Sequence, residues 1–544
     1  MSGDGRPRGR ARNMRCPGFP VAAVQPIYCR RYEGRSAAGA PRMRFGEAMW
    51  NKIKSAALYV LVAVCFGSLI FNVIGGGSRG KIIKVSYWGT NLPYKYALEE
   101  VARRYNAFQS EYEVVVSQED AGNYRTWMSA QLAGGNASDI LMTTPVYADA
   151  DAMNGYLYEL TDALEQPNPY NEEEELWSES FAGSYLTQVQ DKNQPGRWNC
   201  VPTSTVSVRI VINTEMLAAK GLDIPDESWT FSDFRRICEA FEADGMTAME
   251  IANGQYISYM VSWMQDIFCN QVMYEDIVSW DVNGNGQIDA EEIARVFLSD
   301  EVALDLTDNS EYASVLNFMK TWSRYWGEGY NSRKDTSENF LRQKVPMMFS
   351  GSWGVAGIEL TLGNENPEAD KTNPYKKFDY ISLPFPRLER VNYIDAQHSF
   401  EFPGLKEDLP LQELGEASGC FCIPASVERA GKLEGVLDFL YFLTSREASA
   451  VMADMAYSIP VVTGVDVDDI MRDYLPPENS ESLRMRFGLQ MLADGTAEEY
   501  HFKQMQMFLM DGSGSISIGT LCKNVQQKYL EVTSQLAEDN EWEF

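Results

Sequence analysis

Histidine is nearly missing from this chain, which contains only His398 and His501 among 544 residues. The nine cysteines include no pair with the Cys-x-x-Cys spacing. Zinc sites and hydrolytic triads depend mainly on histidines and on closely spaced cysteines. These absences therefore argue against a zinc enzyme and against catalysis by a histidine-based triad.

Positive charge is also scarce outside the N-terminal region. The whole chain has a formal net charge of −30, although residues 1–54 carry twelve lysines and arginines against three acidic residues. An acidic body of this size repels phosphate backbones, so we do not expect a nucleic-acid partner. With 544 residues, 45% of them hydrophobic, the chain is long enough for two or more globular domains.

Long apolar runs are missing except at residues 56–74, where only Ser68 and Asn72 are polar. The basic segment before it, residues 1–55, has no apolar periodicity and is predicted to be disordered. Nineteen residues approach the roughly 20 needed to span a bilayer, and the basic flank predicts a cytoplasmic N-terminus. We therefore expect a transmembrane anchor or a signal-peptide hydrophobic region, with the following body in the periplasm or at the cell surface. Cleavage, lipidation at Cys65 and the true start codon stay open.

Six cysteines lie in this extracytoplasmic body, where an oxidising compartment permits disulfides. Cys420 and Cys422, however, occupy an apolar, strand-like run. We expect these two residues to be buried as small hydrophobic side chains.

The stretch Val201–Arg236 predicts a strand, a short helix and a capped helix in succession. Alternating Val206, Val208, Ile210 and Ile212 predict a strand with one buried face, and Thr230 with Asp233 forms a capping-box pattern. Between residues 81 and 142, strand patterns alternate with helix patterns. This alternation predicts a parallel sheet with helical crossovers.

Several motifs follow one another in a recognisable order: a strand ending in Trp88, Ser138-Asp139-Ile140, the run VPMMFSGSW at 345–353, YISLPFP at 380–386, and FLTSRE at 442–447 followed by Ile459-Pro460. Their order resembles that of family 1 extracellular solute-binding proteins of sugar ABC transporters, although Ser138 stands where the family usually has proline. The resemblance implies an α/β, two-lobed, periplasmic-binding-protein-like type II fold with hinge crossovers near residues 203, 387 and 455. Lobe 1 would comprise residues 80–203 and 387–455, and lobe 2 residues 204–386 and 456–544.

The same resemblance implies that the protein captures a carbohydrate, most simply an oligosaccharide, for import through ABC-transporter permease subunits and without catalysis. Sugar recognition uses flat aromatic faces together with carboxylates and amides in a cleft. By resemblance the ligand contacts are Trp353, Trp88, Tyr147 and Asp149. Tyr259 and Trp263 are further candidates from an aromatic stretch without a motif. Core packing competes with ligand contact at each tryptophan, equally at Trp353 and more strongly at Trp88.

Residues 281–292 fit the spacing of an EF-hand loop. Gly286 allows the turn at position 6, and the predicted calcium ligands at positions 1, 3, 5, 7, 9 and 12 are Asp281, Asn283, Asn285, Gln287, Asp289 and Glu292. A single EF-hand without a partner hand favours a structural Ca²⁺ rather than a sensor.

Two other functions stay open. A membrane-tethered ligand sensor would use the same cleft and anchor. A calcium-dependent extracellular glycan-active enzyme would need an acid and a base, and no spacing among the many carboxylates singles out such a pair.

Overall fold

The chain folds into two α/β lobes joined by a small sheet, in a computed structural model that describes residues 81–89, 92–171, 175–182, 185–251, 259–284, 288–299, 304–333, 337–362, 375–407, 415–475 and 496–544. All of these residues belong to one compact unit, Ser78–Phe544. The strands are β1 (Lys81–Trp88), β2 (Tyr112–Glu119), β3 (Ile140–Thr143), β4 (Ser204–Val206), β5 (Val208–Asn213), β6 (Met249–Glu250), β7 (Met347–Gly351), β8 (Tyr380–Leu383), β9 (Val391–Tyr393), β10 (Ser399–Glu401), β11 (Glu416–Ser418), β12 (Cys420–Cys422) and β13 (Ile459–Pro460).

Helices occupy most of the chain between these strands. They are α1 (Leu92–Phe108), α2 (Tyr124–Gly134), α3 (Pro145–Met153), α4 (Thr161–Leu164), α5 (Tyr185–Gln188), α6 (Thr214–Ala219), α7 (Phe231–Glu242), α8 (Tyr259–Val272), α9 (Tyr274–Trp280), α10 (Ala290–Leu298), α11 (Glu311–Trp322), α12 (Ser337–Leu341), α13 (Val355–Leu362), α14 (Ser426–Arg429), α15 (Leu433–Leu443), α16 (Arg446–Ala456), α17 (Asp469–Arg472), α18 (Thr496–Leu509) and α19 (Ile518–Asn540).

Lobe 1 is built on a four-stranded sheet in the order β12-β3-β1-β2. Strand β1 pairs in parallel with both β2 and β3, which confirms the predicted parallel sheet with crossovers. Strand β12 closes one edge antiparallel to β3, and Cys420 and Cys422 are buried there as expected. Helix α1 presents Leu98, Val101 and Tyr105 to the core of this lobe.

Lobe 2 carries a mixed four-stranded sheet in the order β6-β7-β5-β8. Its core is rich in aromatic side chains, and Trp322 lies between rings from α7, α8 and the segment after β8. The predicted capping box at Thr230 and Asp233 is confirmed: each residue's backbone N–H donates to the other's side chain. The helix α7 that it begins packs Phe231 and Phe234 into this core.

Strand β5 differs from its prediction, because it is buried on both faces rather than on one. The second face is covered at Val211 by Phe340, Ile358 and Phe378, and at Arg209 by residues 473–475, which come much later in the chain. There Arg209, fully buried, donates from Nε to the Asp473 carbonyl at 2.7 Å and from Nη2 to the Leu475 carbonyl at 3.0 Å. Arg209 alternates with the residues of the predicted buried face, and the local pattern gives no sign of this distant segment.

Three short strands, β11-β4-β13, form an antiparallel sheet between the lobes. The crossover predicted near residue 387 is wrong, since Leu388, Ile394, Phe402 and Leu405 all pack in the core of lobe 2. Arg387 itself is held to α7 by the 3.0 Å bond from its N–H to the Trp229 carbonyl and the 2.9 Å bond from Phe231 N–H to its carbonyl. The chain reaches the hinge sheet only at β11.

The return after residue 455 is also later than predicted. Val461 packs in the core of lobe 1, and Ala182 N–H donates to its carbonyl at 2.6 Å. Only after this contact does the chain reach Met471 and Tyr474, which pack on Val355 of lobe 2.

Candidate functional site

Both lobes turn one edge of their main sheet toward the hinge sheet. In lobe 1, β1, β2 and β3 run in parallel, so their carboxyl ends share an edge, and Thr143 at the end of β3 pairs with Cys420, two residues after hinge strand β11. In lobe 2, Gly351 at the end of β7 pairs with Val208, two residues after hinge strand β4. Residues following these strand ends therefore border the space between the lobes, where a crevice at the carboxyl ends of strands can hold a ligand.

Trp353 lies at this edge of lobe 2 and is 42% exposed. Its indole folds back across Gly351, so closely that a Cβ added at Gly351 would lie 2.2 Å from the ring. The ring also meets Trp263 edge-to-face, with centroids 6.0 Å apart. Glycine at 351 and the wall formed by Trp263 thus hold a partly exposed aromatic surface in one orientation.

Trp263 itself is fully buried in helix α8 and forms part of the lobe 2 core. It supports the ring of Trp353 rather than presenting a surface of its own. Tyr259 begins the same helix, and its side chain is outside the part of the chain that the structure describes. Among the six predicted ligand contacts, Trp353 and Trp263 are the two whose rings the structure brings against each other in the described part of the chain.

Tyr147 lies in the first turn of α3, directly after β3, and is 36% exposed. Thr144 caps this helix by accepting from the Tyr147 N–H at 3.3 Å. The Arg125 guanidinium stacks over the tyrosine ring at 4.5 Å and forms a two-pronged ion pair with buried Asp151, at 2.5 and 3.1 Å. Sequence analysis missed Arg125, which orients Tyr147 and is separated from it by 22 positions.

Trp88 ends β1 and packs partly buried against the lobe 1 core. Its ring meets Tyr124 edge-to-face at 5.4 Å, and the Tyr124 hydroxyl donates to the Ser86 carbonyl at 3.1 Å. Trp88 therefore combines core packing with a position at the carboxyl edge, and its contact with a ligand stays a prediction.

Asp149 is only 1% exposed and lies in helix α3, five residues after Thr144. Its carboxylate accepts from the Lys192 N–H at 3.3 Å. Burial, and then the nearby carboxylate of Asp191, raise the pKa of Asp149 well above its usual value. The structure thus places Asp149 inside lobe 1, and its predicted role as a ligand contact stays untested.

A groove of about 540 Å³ lies beside the carboxyl ends of β1 and β2. It is mostly polar, and its charged and amide side chains are of the kind that bind sugar hydroxyls. At its rim, Gly89 approaches Gln118 so closely that an added Cβ would lie 2.5 Å from Nε2. The groups lining it include Tyr87, Lys95, Glu99, Gln118, Glu119 and Asp120. The alternating pattern predicted strand β2. It did not indicate which residues at the end of that strand border a groove.

The predicted calcium loop is described at residues 281–284 and 288–292, whereas Asn285 and Gln287 lie outside the described residues. Its side chains converge: Asn283 N–H donates to Glu292 Oε1 at 2.9 Å, and Asn283 Nδ2 donates to Asp289 Oδ2 at 3.0 Å. Asp289 and Glu292 form a capping box at the start of α10. Burial, opposed by backbone hydrogen bonds, raises the pKa of Glu292, and the charges of Asp289 and Asp281 raise it further.

Positions 3, 9 and 12 of the loop are therefore joined by hydrogen bonds in which N–H groups of Asn283 face the carboxylates of Asp289 and Glu292. Within the described residues, no group of three or more histidine, cysteine, aspartate or glutamate side chains is placed to hold a metal ion. An EF-hand also uses amide and main-chain oxygens, two of them here at the undescribed positions 5 and 7. The residues present fit a calcium loop in kind and in spacing.

Lys192 of lobe 1 lies within electrostatic range of carboxylates from both lobes. These are Asp149 and Asp191 in lobe 1 and Asp289 and Glu292 in the loop. Burial lowers the pKa of Lys192, against the attraction of these four groups. The loop thus lies beside lobe 1.

The predicted basic segment 1–55 and apolar segment 56–74 lie outside the described residues. Among the described helices, none combines the length and the apolar character needed to cross a bilayer.

A family model for bacterial extracellular solute-binding proteins matches residues 100–475. The chain belongs to this family. As an extracellular solute-binding protein it acts outside the cytoplasm, and its family is one of binding proteins. A search of curated proteins finds no match.

Solved structures of sugar-binding proteins share this fold at low sequence identity. A protein from a study of xylan utilization by Caldanaerobius polysaccharolyticus has a TM-score of 0.58 and 16% identity, covering 82% of this chain and 99% of its own. The Listeria monocytogenes ABC substrate-binding protein Lmo0181, in complex with cycloalternan, has a TM-score of 0.56 and 13% identity, covering 85% and 100%. Maltose-bound MalE3 of T. maritima has a TM-score of 0.54 and 14% identity, covering 82% and 99%.

Proposed function

We propose that this solute-binding protein captures an oligosaccharide between its lobes and delivers it to the permease subunits of an ABC transporter. The observation that carries the proposal is the exposed ring of Trp353, held across Gly351 at the hinge-side edge of lobe 2. Stacking on such a ring suits the apolar face of a pyranose. The structural relatives named above support a carbohydrate ligand, since two of them are described with cycloalternan and maltose.

Lobe 1 supplies the polar half of this site. Tyr147, oriented by Arg125, and the groove residues Gln118, Glu119 and Asp120 offer hydroxyl, amide and carboxylate groups at the carboxyl edge of the parallel sheet. A sugar hydroxyl can donate to a carboxylate and accept from an amide, so these groups suit a neutral glycan. The hinge sheet lets the two halves close around the ligand, which shifts an equilibrium between open and closed forms.

The test is calorimetric titration with raffinose, maltotetraose, xylotetraose and chitotetraose, followed by recovery of the sugar. We expect one of them to bind and to be recovered intact. Trp353→Ala should weaken its affinity roughly 5- to 150-fold, because about 1–3 kcal/mol of aromatic contact is lost. The matched control is Tyr393→Ala, which removes an exposed aromatic ring from the β9–β10 hairpin.

Unchanged affinity in Trp353→Ala would remove this residue from the site. A sugar that is consumed would instead favour the glycan-active enzyme. Binding without uptake in cells that contain the permease would favour the membrane-tethered sensor. For either transport or sensing, residues 56–74 would hold the protein at the membrane.

The loop at 281–292 is proposed to bind a structural Ca²⁺. Oxygens of Asp281, Asn283, Asp289 and Glu292 would hold the ion, with Asn285 and Gln287 completing the set by their spacing. The cation would offset the mutual repulsion of three carboxylates and fix the start of helix α10.

Melting of the protein with Ca²⁺ and with EDTA tests this site. We expect EDTA to lower the melting temperature of the wild type and of Glu291→Gln, whose side chain is exposed and paired with Arg295. Glu292→Gln removes the bidentate ligand and should make melting insensitive to EDTA. Equal EDTA effects in both variants, or no EDTA effect in the wild type, would contradict the calcium site.

A further inference from the structure

The segment that carries Trp353 is fastened at one end to the residue that follows hinge strand β4. The ladder between β7 and β5 continues for one residue beyond Gly351 and Val208, because the Ser352 N–H donates to the Ser207 carbonyl at 2.9 Å. Ser207 returns the contact, since its N–H donates to Ser352 Oγ at 3.4 Å. The hydroxyl of Ser352 thus supplies the last acceptor of the ladder at the point where β7 leaves the sheet.

The other end of this segment is fastened to the third hinge crossing. Val355 begins helix α13 and is fully buried. It packs in one apolar cluster with Ile459 of hinge strand β13 and with Met471 and Tyr474, which follow that strand in the chain. Residues 351–355 therefore connect the first crossing, at β4, with the third crossing, at β13, and the exposed indole lies between these two attachments.

Ser207 joins the two attachments directly. Its Oγ donates to the Tyr474 carbonyl at 2.8 Å, while its backbone holds Ser352. Both serines and Tyr474 are buried, so water does not compete for these hydrogen bonds. Removal of the Ser207 hydroxyl would take this donor away from a buried carbonyl, which makes the contact costly to lose.

The second crossing is fastened to lobe 1 instead. Gln188 of helix α5 holds hinge strand β11 by both groups of its side-chain amide: Nε2 donates to the Gly415 carbonyl at 3.1 Å, and Oε1 accepts from the Ala417 N–H at 2.7 Å. Ala417 itself packs in the core of lobe 1. The first and third crossings are thus tied to the wall that holds Trp353, whereas the second is tied to the opposite lobe.

We propose that Ser207 is the positioning residue through which a sugar stacked on Trp353 acts on the hinge. Because the ring and two of the crossings are joined at Ser207, they move as one body when the lobes close. The ring then reaches a ligand on lobe 1 at a fixed hinge angle, and the stacking contact favours the closed form. This action rests on the proposed carbohydrate site, whereas the joint at Ser207 belongs to the protein without sugar.

Hydrogen exchange of the full-length protein without sugar tests the joint. Ser207→Ala should raise amide exchange about threefold at residues 471–475 and also at residues 351–355. Ser382→Ala is the matched control, since Ser382 is also buried and its Oγ donates to the Tyr474 hydroxyl at 3.1 Å from strand β8. The control should raise exchange at residues 471–475 alone. Unchanged exchange at residues 351–355 in Ser207→Ala, or the same pattern in both variants, would overturn the joint.

A double-mutant cycle with Trp353→Ala tests the action on ligand binding. The probe is the sugar that the wild type binds in calorimetry, among raffinose, maltotetraose, xylotetraose and chitotetraose. Ser207→Ala should weaken its binding about fivefold when Trp353 is present and leave it unchanged in Trp353→Ala. Ser382→Ala should leave the affinity unchanged in both backgrounds.

Two results would count against this coupling in different ways. An equal loss of affinity from Ser207→Ala in both backgrounds would show that Ser207 acts independently of the ring. Binding of none of the four sugars would overturn the carbohydrate site and the coupling that rests on it, while the exchange pattern at residues 351–355 would still decide the joint at Ser207.

Discussion

The two lobes reach the hinge with different sheets. Lobe 1 presents the carboxyl ends of three parallel strands, whereas lobe 2 presents a mixed sheet in which β7 and β5 meet antiparallel at Gly351 and Val208. Parallel strands end in loops and helix starts, which is where Tyr147 and the groove residues lie. An antiparallel edge instead holds a single bulky group, the ring of Trp353. The proposed site would therefore combine an adaptable polar wall with a fixed aromatic wall.

The lobes also differ in what they bury. The lobe 2 core is dominated by aromatic rings and contains a histidine held between two tyrosines, His501 with Tyr312 and Tyr529 at 2.9 Å each. Both histidines of the chain lie in lobe 2. Both lobes bury carboxylates, Asp149 and Asp151 in lobe 1 and Glu250 and Asp266 in lobe 2, but the buried histidine belongs to lobe 2 alone. Acid should therefore act on the two lobes differently.

The largest expected effect is the response of lobe 2 to acid. Burial lowers the pKa of His501 to about 4, below the ordinary value of 6.5. The unfolded chain then binds a proton that the folded lobe does not bind between pH 6.5 and 4. The free energy of unfolding is therefore not reduced by this histidine above pH 6.5. It falls as the pH drops, by about 3 kcal/mol at pH 4. The raised pKa of Asp149 has the opposite sign, since acid favours its folded, protonated form.

Hydrogen exchange followed by mass spectrometry from pH 7 to 4 resolves the lobes separately. His501→Gln keeps one hydrogen-bond donor and one acceptor for the two tyrosines but does not titrate. In this variant, the protection of lobe 2 amides from exchange should therefore not change with pH. His398→Gln alters an exposed histidine and should behave as wild type between pH 6.5 and 4. A loss of lobe 2 protection that is the same in wild type and His501→Gln would assign the acid response to other groups.

A second comparison uses one crowded glycine in each lobe. A Cβ at Gly351 would lie 2.2 Å from the Trp353 ring, and one at Gly435 in α15 would lie 2.3 Å from the Tyr112 ring. Gly351→Ala should cost about 2 kcal/mol of strain or displace the indole, and so weaken ligand binding about tenfold. Gly435→Ala should cost about 1 kcal/mol, because alanine's helix propensity offsets part of the strain, and should leave affinity unchanged. Calorimetry measures the ligand affinity of each variant, and thermal melting measures its stability. Equal affinities in Gly351→Ala and Gly435→Ala would contradict the expected difference between the two lobes.

Sequence reasoning succeeded where local rules decide the structure. The separate strands and helices of lobe 1 and the capping box at Thr230 follow from patterns within short stretches of sequence. It failed where the partner is distant along the chain. Nothing in the run around Arg387 shows that it pairs with Trp229, nor that Arg209 is covered by Leu475. The ordered motifs gave the family, but the crossover positions depended on such non-local packing.

The smallest expected effect comes from removing the N-cap side chain of one helix in each lobe. Thr230 in lobe 2 belongs to a complete capping box, whereas Thr144 in lobe 1 accepts a single bond from Tyr147 at 3.3 Å. Thr230→Ala should therefore destabilise lobe 2 by about 1 kcal/mol and leave ligand affinity unchanged. Thr144→Ala should cost about 0.5 kcal/mol of stability yet weaken binding a few-fold, because it loosens the turn that carries Tyr147. Chemical denaturation and calorimetry check both variants. If Thr144→Ala bound sugar as tightly as the wild type, lobe 1 would hold its ligand through the groove beside β2 rather than through Tyr147.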